Sequence, residues 1–122
     1  IIYLKKNIFM KNPFISIITV TKNPGNNLVN TANSVFEQKF NNYEYIIKDC
    51  YSNDGTESLY INNKNVKRIF THDCGIFDGM NQSLFFANGL YVCFLNAGDY
   101  FINCNVLKNV YEKFREFNDC DL

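Results

Sequence analysis

Hydrophobic positions in this chain gather into four short, dense blocks separated by polar stretches. "FISIITV" (14–20), "YEYIIKD" (43–49), "VKRIFTH" (66–72) and "LYVCFL" (90–95) are β-branched or aromatic and too short for helices. They read as strands, the first and last buried on both sides. Between them the period changes. Leu28, Ala32, Val35 and Phe36 recur at helical spacing, which predicts a helix from about Leu28 to Gln38 with Asn26 or Asn27 as its cap. A short helix is expected from Glu57 to Ile61. "DCGIFDGMNQSLFFANG" opens as a loop and becomes a helix, with Met80, Leu84 and Ala87 on one face, Phe85 beside them and Gly89 as the C-terminal stop. A last helix runs from Val106 to Phe117, with Val106, Val110 and Phe114 on one stripe.

Strand and helix therefore alternate four times. That order implies an α/β fold with a mostly parallel sheet and helices on both faces. The 122 residues suit one small domain, expected over 13–122, with residues 1–12 as an N-terminal extension. The chain begins with Ile rather than Met, so it reads either as a fragment or as a protein starting at Met10 with residues 1–9 upstream of it. Lys plus Arg equals Asp plus Glu, 12 against 12, which argues against a nucleic-acid domain. Asn is so abundant, together with Lys, Ile, Phe and Tyr, that a single Asn carries little information. The five cysteines, Cys50, Cys74, Cys93, Cys104 and Cys120, form no C-x-x-C pair, so neither a disulfide framework nor a zinc site is indicated. Reduced thiols in a cytoplasmic setting are expected. No segment approaches the roughly 20 apolar residues that span a bilayer.

In open parallel sheets, ligands bind at the carboxyl ends of the strands. Here those ends are rich in polar groups. The first strand ends in Thr19, Val20, Thr21, Lys22 and Asn23. The second ends in Asp49, then Ser52, Asp54, Gly55 and Thr56. The third ends in His72 and Asp73, then Gly75, Asp78 and Asn81. The fourth ends in Asn96, Gly98 and Asp99. Carboxylates converging on one edge repel one another unless a cation or hydrogen-bond donors satisfy them. Mg²⁺ or Mn²⁺ with phosphate oxygens, or the N–H and O–H groups of a base and ribose, would do so. A phosphorylated, nucleotide-like ligand is favoured over a bare sugar. Each piece also has a plainer reading. "SNDGT" fits a hairpin turn, "NAGD" a simple turn, Asp73 a helix cap and His72 a surface or packing residue. A receiver or flavodoxin-like domain is disfavoured, because the first strand ends in Thr and Lys, with neither an acidic pair nor a Ser/Thr/Gly phosphate loop.

Taken in order and spacing, "FISIITVTKN", "YIIKDCYSNDGT" and "THDCGIFDGMNQSLFFANGLYVCFLNAGD" resemble the nucleotide-binding half of the family 2 glycosyltransferases, which have the GT-A fold. The resemblance covers about residues 13–101. It implies that Thr19 and Thr21 line the nucleobase pocket, that Asp49 binds the base, usually uracil, and that Ser52, Asp54, Gly55 and Thr56 match a D-x-x-S-x-D-G-T loop shaping that pocket. Asp73, Gly75, Asp78 and Asn81 match a segment commonly written D-x-G-I-x-D-A-M-N, near ribose and sugar. Asn96 to Asp99 match the D-x-D-type metal motif. Two carboxylates of that motif are absent here, which leaves Asp99 as the metal ligand for Mg²⁺ or Mn²⁺ and makes Asn96 a sugar contact beside Asp78 and Asn81. Cys50 also replaces a frequent Asp.

The resemblance further implies transfer of a sugar from a nucleotide-sugar donor, a UDP-sugar, to a hydroxyl of a glycan or lipid-linked acceptor, with inversion. It places the acceptor site and the catalytic base beyond residue 122, so that this segment alone is inactive and has no assigned base. The expected location is cytoplasmic, at the inner face of a membrane where association is peripheral. The competing expectation is a truncated, non-catalytic nucleotide-binding module.

Overall fold

The structure is a computed structural model that describes residues 12–117 and, as backbone only, 2–4. Its strands are β1 (Ile2–Leu4), β2 (Ile15–Thr21), β3 (Tyr43–Asp49), β4 (Val66–Phe70) and β5 (Tyr91–Phe94). The helices are α1 (Asn27–Phe36), α2 (Ile76–Leu84) and α3 (Val106–Glu116), with one 3₁₀ turn at Thr56–Leu59. The sheet order is β1-β5-β2-β3-β4. The four predicted strands pair in parallel, and β1 adds an antiparallel edge on β5, Ile2 opposite Cys93. That edge strand was not predicted, because three residues show no alternation to read. The rest of the expected extension up to Lys11, and Cys120, lie outside the described residues.

Alternation along β2 and β3 sorts the core into two layers. Ile15, Ile17, Tyr45 and Ile47 face α1 and α3, where they meet Leu28, Val35 and Leu107. Ile18, Val20 and Ile46 face α2, packing with Met80, Leu84 and Ala87. Burying each of the large aliphatic side chains contributes about 1.5–3 kcal/mol. Phe14 closes the lower end of the first layer, with its ring 4.9 Å from Tyr111 and 5.7 Å from Phe114. The buried anchor of α3 is Leu107, one position away from the expected Val106 stripe.

Several local expectations change. Asn26 occupies the α1 cap position, yet its side chain makes no capping bond. "SNDGT" leads into the 3₁₀ turn rather than a hairpin, since β4 returns parallel to β3. β4 ends at Phe70: of the expected residues, Thr71 makes a last bond from its N–H to the Asp49 carbonyl at 3.2 Å, and His72 is exposed, its ring 4.5 Å from that of Tyr51. Phe85 is 86% exposed because α2 ends at Leu84 and the helical spacing no longer applies beyond it.

Connectivity creates one break in direction. From β2 the chain steps to β3 and β4 on one side, then α2 carries it across the opposite face to β5 on β2's other side. The switch point thus lies between the carboxyl ends of β2 and β5. The register opens a notch there. β5 leaves the ladder at Phe94, opposite Ile18, while β2 runs on to Thr21, level with Asp49. Thr19 holds this exit: its hydroxyl, fully buried, donates to the Leu95 carbonyl at 2.7 Å and shares a 3.0 Å hydrogen bond with Tyr45 Oη. Thr19→Val keeps the shape but strands both partners in the interior. The expected loss is about 1–3 kcal/mol, read from the urea midpoint; a variant as stable as the parent would show that the hydroxyl does not hold the strand exit.

Candidate functional site

Two loops meet above β2 and β3 and are laced together by short polar side chains. Ser52 Oγ accepts from Asn23 N–H at 2.8 Å, Asn23 Oδ1 accepts from Asn53 N–H at 2.8 Å, and Asp54 Oδ2 accepts from Gly25 N–H at 2.9 Å. Asn23 and Tyr51 sit in the left-handed region, at φ 48° and 51°. For Tyr51 that conformation is uncommon and must be held by its surroundings. Asp54 also takes the Thr56 hydroxyl at 2.6 Å and the Thr56 N–H at 3.1 Å. These donors, the Thr56 hydroxyl foremost, hold its carboxyl below the usual aspartate range despite a small opposing effect of desolvation.

Asp49 lies under this loop. Its carboxylate is buried: Oδ1 accepts from Ser52 N–H and Oγ at 2.8 and 2.7 Å, and Oδ2 from Tyr60 Oη at 2.5 Å. Burial first, and then this bond to a carboxylate, push the Tyr60 phenol upward. Asp49 and Thr19, both expected in the nucleobase pocket, are therefore buried beneath the strand ends with their polar atoms bonded within the protein. Ser52 and Asp54 build the loop's internal lattice.

On the α2 face, Asp73 accepts from Gly75 N–H at 3.1 Å and forms an ion pair with Lys48. Burial alone would raise its carboxyl. Lys48 and the Gly75 N–H outweigh that effect and hold it low. Asp73 is therefore not the cap of α2: Gly75 holds that position without a side-chain capping bond, and Asp73 lies two residues ahead of it on a cavity wall. Asp78 accepts from Cys74 N–H at 2.8 Å and from Gln82 Nε2 at 3.0 Å, which fixes the entry into α2. Lys48 escaped sequence reading. The available signal was slight: a lysine two residues after Ile46, in a strand buried from Tyr45 to Asp49.

At the end of β5, "NAGD" is a turn closed by Asp99 N–H to the Asn96 carbonyl at 2.9 Å. Gly98 stands at φ 103°, which a side chain would strain. The buried Thr31 of α1 pins the turn, its hydroxyl accepting from Gly98 N–H at 2.9 Å. Thr31 was not foreseen either. A threonine at a helical core position carries no sign of a partner 67 residues away.

Two cavities flank the notch. One, of about 210 Å³, is lined by Thr21, Lys22, Asp73, Gly75 and Ile76 together with Val20. The other, of about 570 Å³, has Phe77, Met80, Leu84 and Phe94 as its apolar wall. Asn81, Asn96 and Asp99 form its polar side. Two buried oxygens beside these spaces have no hydrogen-bond partner, Thr21 Oγ1 and Asn96 Oδ1. Native interiors leave few such atoms unpaired, and a ligand is one explanation. Asp99 is exposed, and no hydrogen bond engages its carboxylate among the described residues. No group of three or more His, Cys, Asp or Glu side chains there could hold a metal by itself. Hence Thr21 and Asp73 share one cavity, Asn81, Asn96 and Asp99 share the other, and Thr19, Asp49, Ser52, Asp54 and Asp78 line neither.

Comparison with known proteins places this arrangement. The sequence profile of glycosyl transferase family 2 matches residues 16–121. No curated protein sequence matches the chain. Among solved structures, S. aureus TarS 1–349 superposes with a TM-score of 0.76 at 29% identity, covering 85% of this chain and 33% of that one. The same protein in complex with UDP-GlcNAc gives 0.75 at 29% identity, over 85% and 32% of the two chains. Mannosyltransferase PcManGT from Pyrobaculum calidifontis, in complex with GDP-Man and Mn²⁺, gives 0.73 at 20% identity, over 84% and 32%. The chain thus spans about a third of the length of these structures, and its sheet and helices are those of a Rossmann-like GT-A half. Its sequence match and its architecture agree: the chain belongs to glycosyl transferase family 2.

Proposed function

We propose that this chain is the donor-binding half of an inverting nucleotide-sugar glycosyltransferase that uses a UDP-sugar and transfers the sugar to an acceptor hydroxyl. The observation that carries the reading is the pairing, at the β2/β5 switch point, of unpartnered buried oxygens on Thr21 and Asn96 with the open carboxylate of Asp99. A uracil and ribose bring N–H and O–H donors for Thr21 and Asp73. TarS, the relative crystallised with UDP-GlcNAc and with UDP, supports uracil as the base.

The donor set beside Asp99 consists of hard oxygens, which suits Mg²⁺ or Mn²⁺. Asp99 would hold such an ion. With one carboxylate, most of its remaining ligands must be diphosphate oxygens and water. A bound cation would offset the charge that develops on the leaving diphosphate. The chain's own residues bind and orient. The floor at Asp49 fixes the loop over the base, Asp78 fixes the start of α2, and Asn81 and Asn96 offer hydrogen bonds to sugar hydroxyls. Asp78 is occupied by its helix-entry bonds and is assigned no proton transfer. The acceptor site and the base belong to further sequence of a longer protein, in keeping with the third of TarS that this chain spans. A glycan or lipid-linked acceptor would bring the protein to the inner face of a membrane by peripheral contact. No helix among the described residues is long and apolar enough to cross one. The sparse metal motif favours one alternative, a module that holds nucleotide without turnover.

Calorimetry with UDP, with and without Mn²⁺, tests the reading. UDP is expected to bind the parent chain in both conditions and more tightly with metal. Asp99→Ala keeps the metal-free affinity and loses the increment. A folded sample that binds no UDP in either condition would sink the proposal. Tyr60→Phe tests the floor: it leaves Asp49 Oδ2 without its donor and lowers stability by about 1–3 kcal/mol. It should also weaken UDP binding equally with and without Mn²⁺. A metal-dependent deficit would show instead that the two ends of the site are not separate.

A further inference from the structure

Lys48 is the most deeply buried charge among the described residues. Its side chain has no exposure, on the β3 face that also carries Ile46 and packs against α2. The ammonium donates to the Thr71 carbonyl at 2.7 Å and to Asp73 Oδ2. Asp73 is itself only 9% exposed and lines the cavity that also contains Thr21 and Lys22. An apolar residue of similar length would suit the surrounding layer, and buried ion pairs are commonly no more stabilising than such a replacement. Stability therefore gives no reason for the lysine. The site does. Room for Asp73 is made on its other side by Gly79, where an added Cβ would lie 2.5 Å from Val20 Cγ1 and 3.1 Å from Asp73 Oδ2. The pattern D-x-G-I-x-D-A-M-N has alanine at that position.

We propose that Lys48 is a positioning residue of the donor site, holding Asp73 charged and in one orientation as the wall of the cavity beside Thr21 and Lys22. This inference rests on the nucleotide reading above. The other titratable groups around Asp73 are the Cys50 thiol beyond β3, Lys22 from the end of β2, and His72 and Asp78 from its own loop and α2. Lys48 is the buried cation among them and the one that pairs with the carboxylate; the Cys50 thiol adds a hydrogen bond to the same group. With it in place, Asp73 is an acceptor alone, suited to an N–H or O–H of base or ribose. Without it, a carboxyl so poorly solvated takes up a proton more readily, and the wall gains a donor where the ligand also presents one.

The test compares UDP affinity in the parent chain, Lys48→Met, Asp73→Asn and the double variant. Lys48→Met is expected to bind UDP on the order of 10-fold more weakly. Measured against the parent at each pH, the deficit should widen from about pH 8 to about pH 5.5, the direction in which an unpaired Asp73 takes up its proton. In the Asp73→Asn background, Lys48→Met should change nothing further, and this comparison stands even if the single variant does not fold. Unchanged affinity in folded Lys48→Met, a deficit that does not vary with pH, or an added loss in the double variant overturns the proposal. A ligand-free reading separates it from the nucleotide assignment. The Asp73 side-chain ¹³C signal should titrate below the ordinary aspartate range in the parent and move up in Lys48→Met. Ordinary titration in both overturns the role of Lys48, whereas the expected titration with no UDP binding counts against the nucleotide reading alone.

Discussion

The early departure of β5 from the sheet governs everything above it. A parallel strand that ran as far as its neighbour would close the switch point with backbone hydrogen bonds. Instead Leu95 makes its last ladder contact through its N–H to the Ile18 carbonyl, and the Thr19 hydroxyl takes the Leu95 carbonyl that the ladder no longer uses. One buried side chain thus ends a strand without leaving an orphan group. The next residues are free to turn, Asn96 to Asp99 fold back under Thr31, and the notch beside Thr21 stays open. The position of Asp99 follows from that exit more than from any contact of its own.

Much of this was legible because burial writes itself into composition. Four apolar blocks, each short and β-branched or aromatic, could only be strands of a covered sheet, and the helices between them showed their period. The polar strand ends marked the edge where the two cavities open. What could not be read was direction. Thr19, Thr21 and Asp49 all look alike as polar residues at strand ends. Pleating puts all three side chains on the same face, and their surroundings separate them: Thr21 lines a cavity, whereas Thr19 is bonded to Tyr45 and Leu95, far along the chain, and Asp49 to Ser52 and Tyr60 of the loop that follows it. Lys48 was overlooked for the converse reason, since a lysine near a strand end normally extends into water. Its burial depends on α2 and on a carboxylate 25 residues later. Phe85 shows the limit of periodicity, which stops being informative where the helix stops.

The pattern of support has a physical logic. Loops that bind polyanions or bases need open donors and acceptors, yet open groups on a mobile loop carry an entropic cost on binding. Here that cost is reduced in advance by interlocking short side chains: Ser52 with Asn23, Asp54 with Gly25, Asp49 with Tyr60. None of these needs to touch a ligand to matter. Left-handed Asn23 and Tyr51 are further signs that the loop conformation is imposed by its bonds rather than chosen by local preference.

The Asn-Ala-Gly-Asp turn shows how a reduced motif can remain chemically coherent. A protein cage for a divalent cation needs several carboxylates and bears their mutual repulsion when the ion is absent. A single carboxylate bears none, and the ion is retained only when a ligand supplies the missing negative charge. In such a site, cation and diphosphate stabilise each other's binding, since each contributes charge that the other requires. On the same reading the unpartnered Asn96 oxygen is left to accept from a sugar hydroxyl and adds no charge beside the ion. Under the proposed function, a motif with one carboxylate would place metal affinity in the protein–donor complex rather than in the protein, and the turn held by Thr31 and Gly98 would supply the fixed geometry that such shared coordination demands.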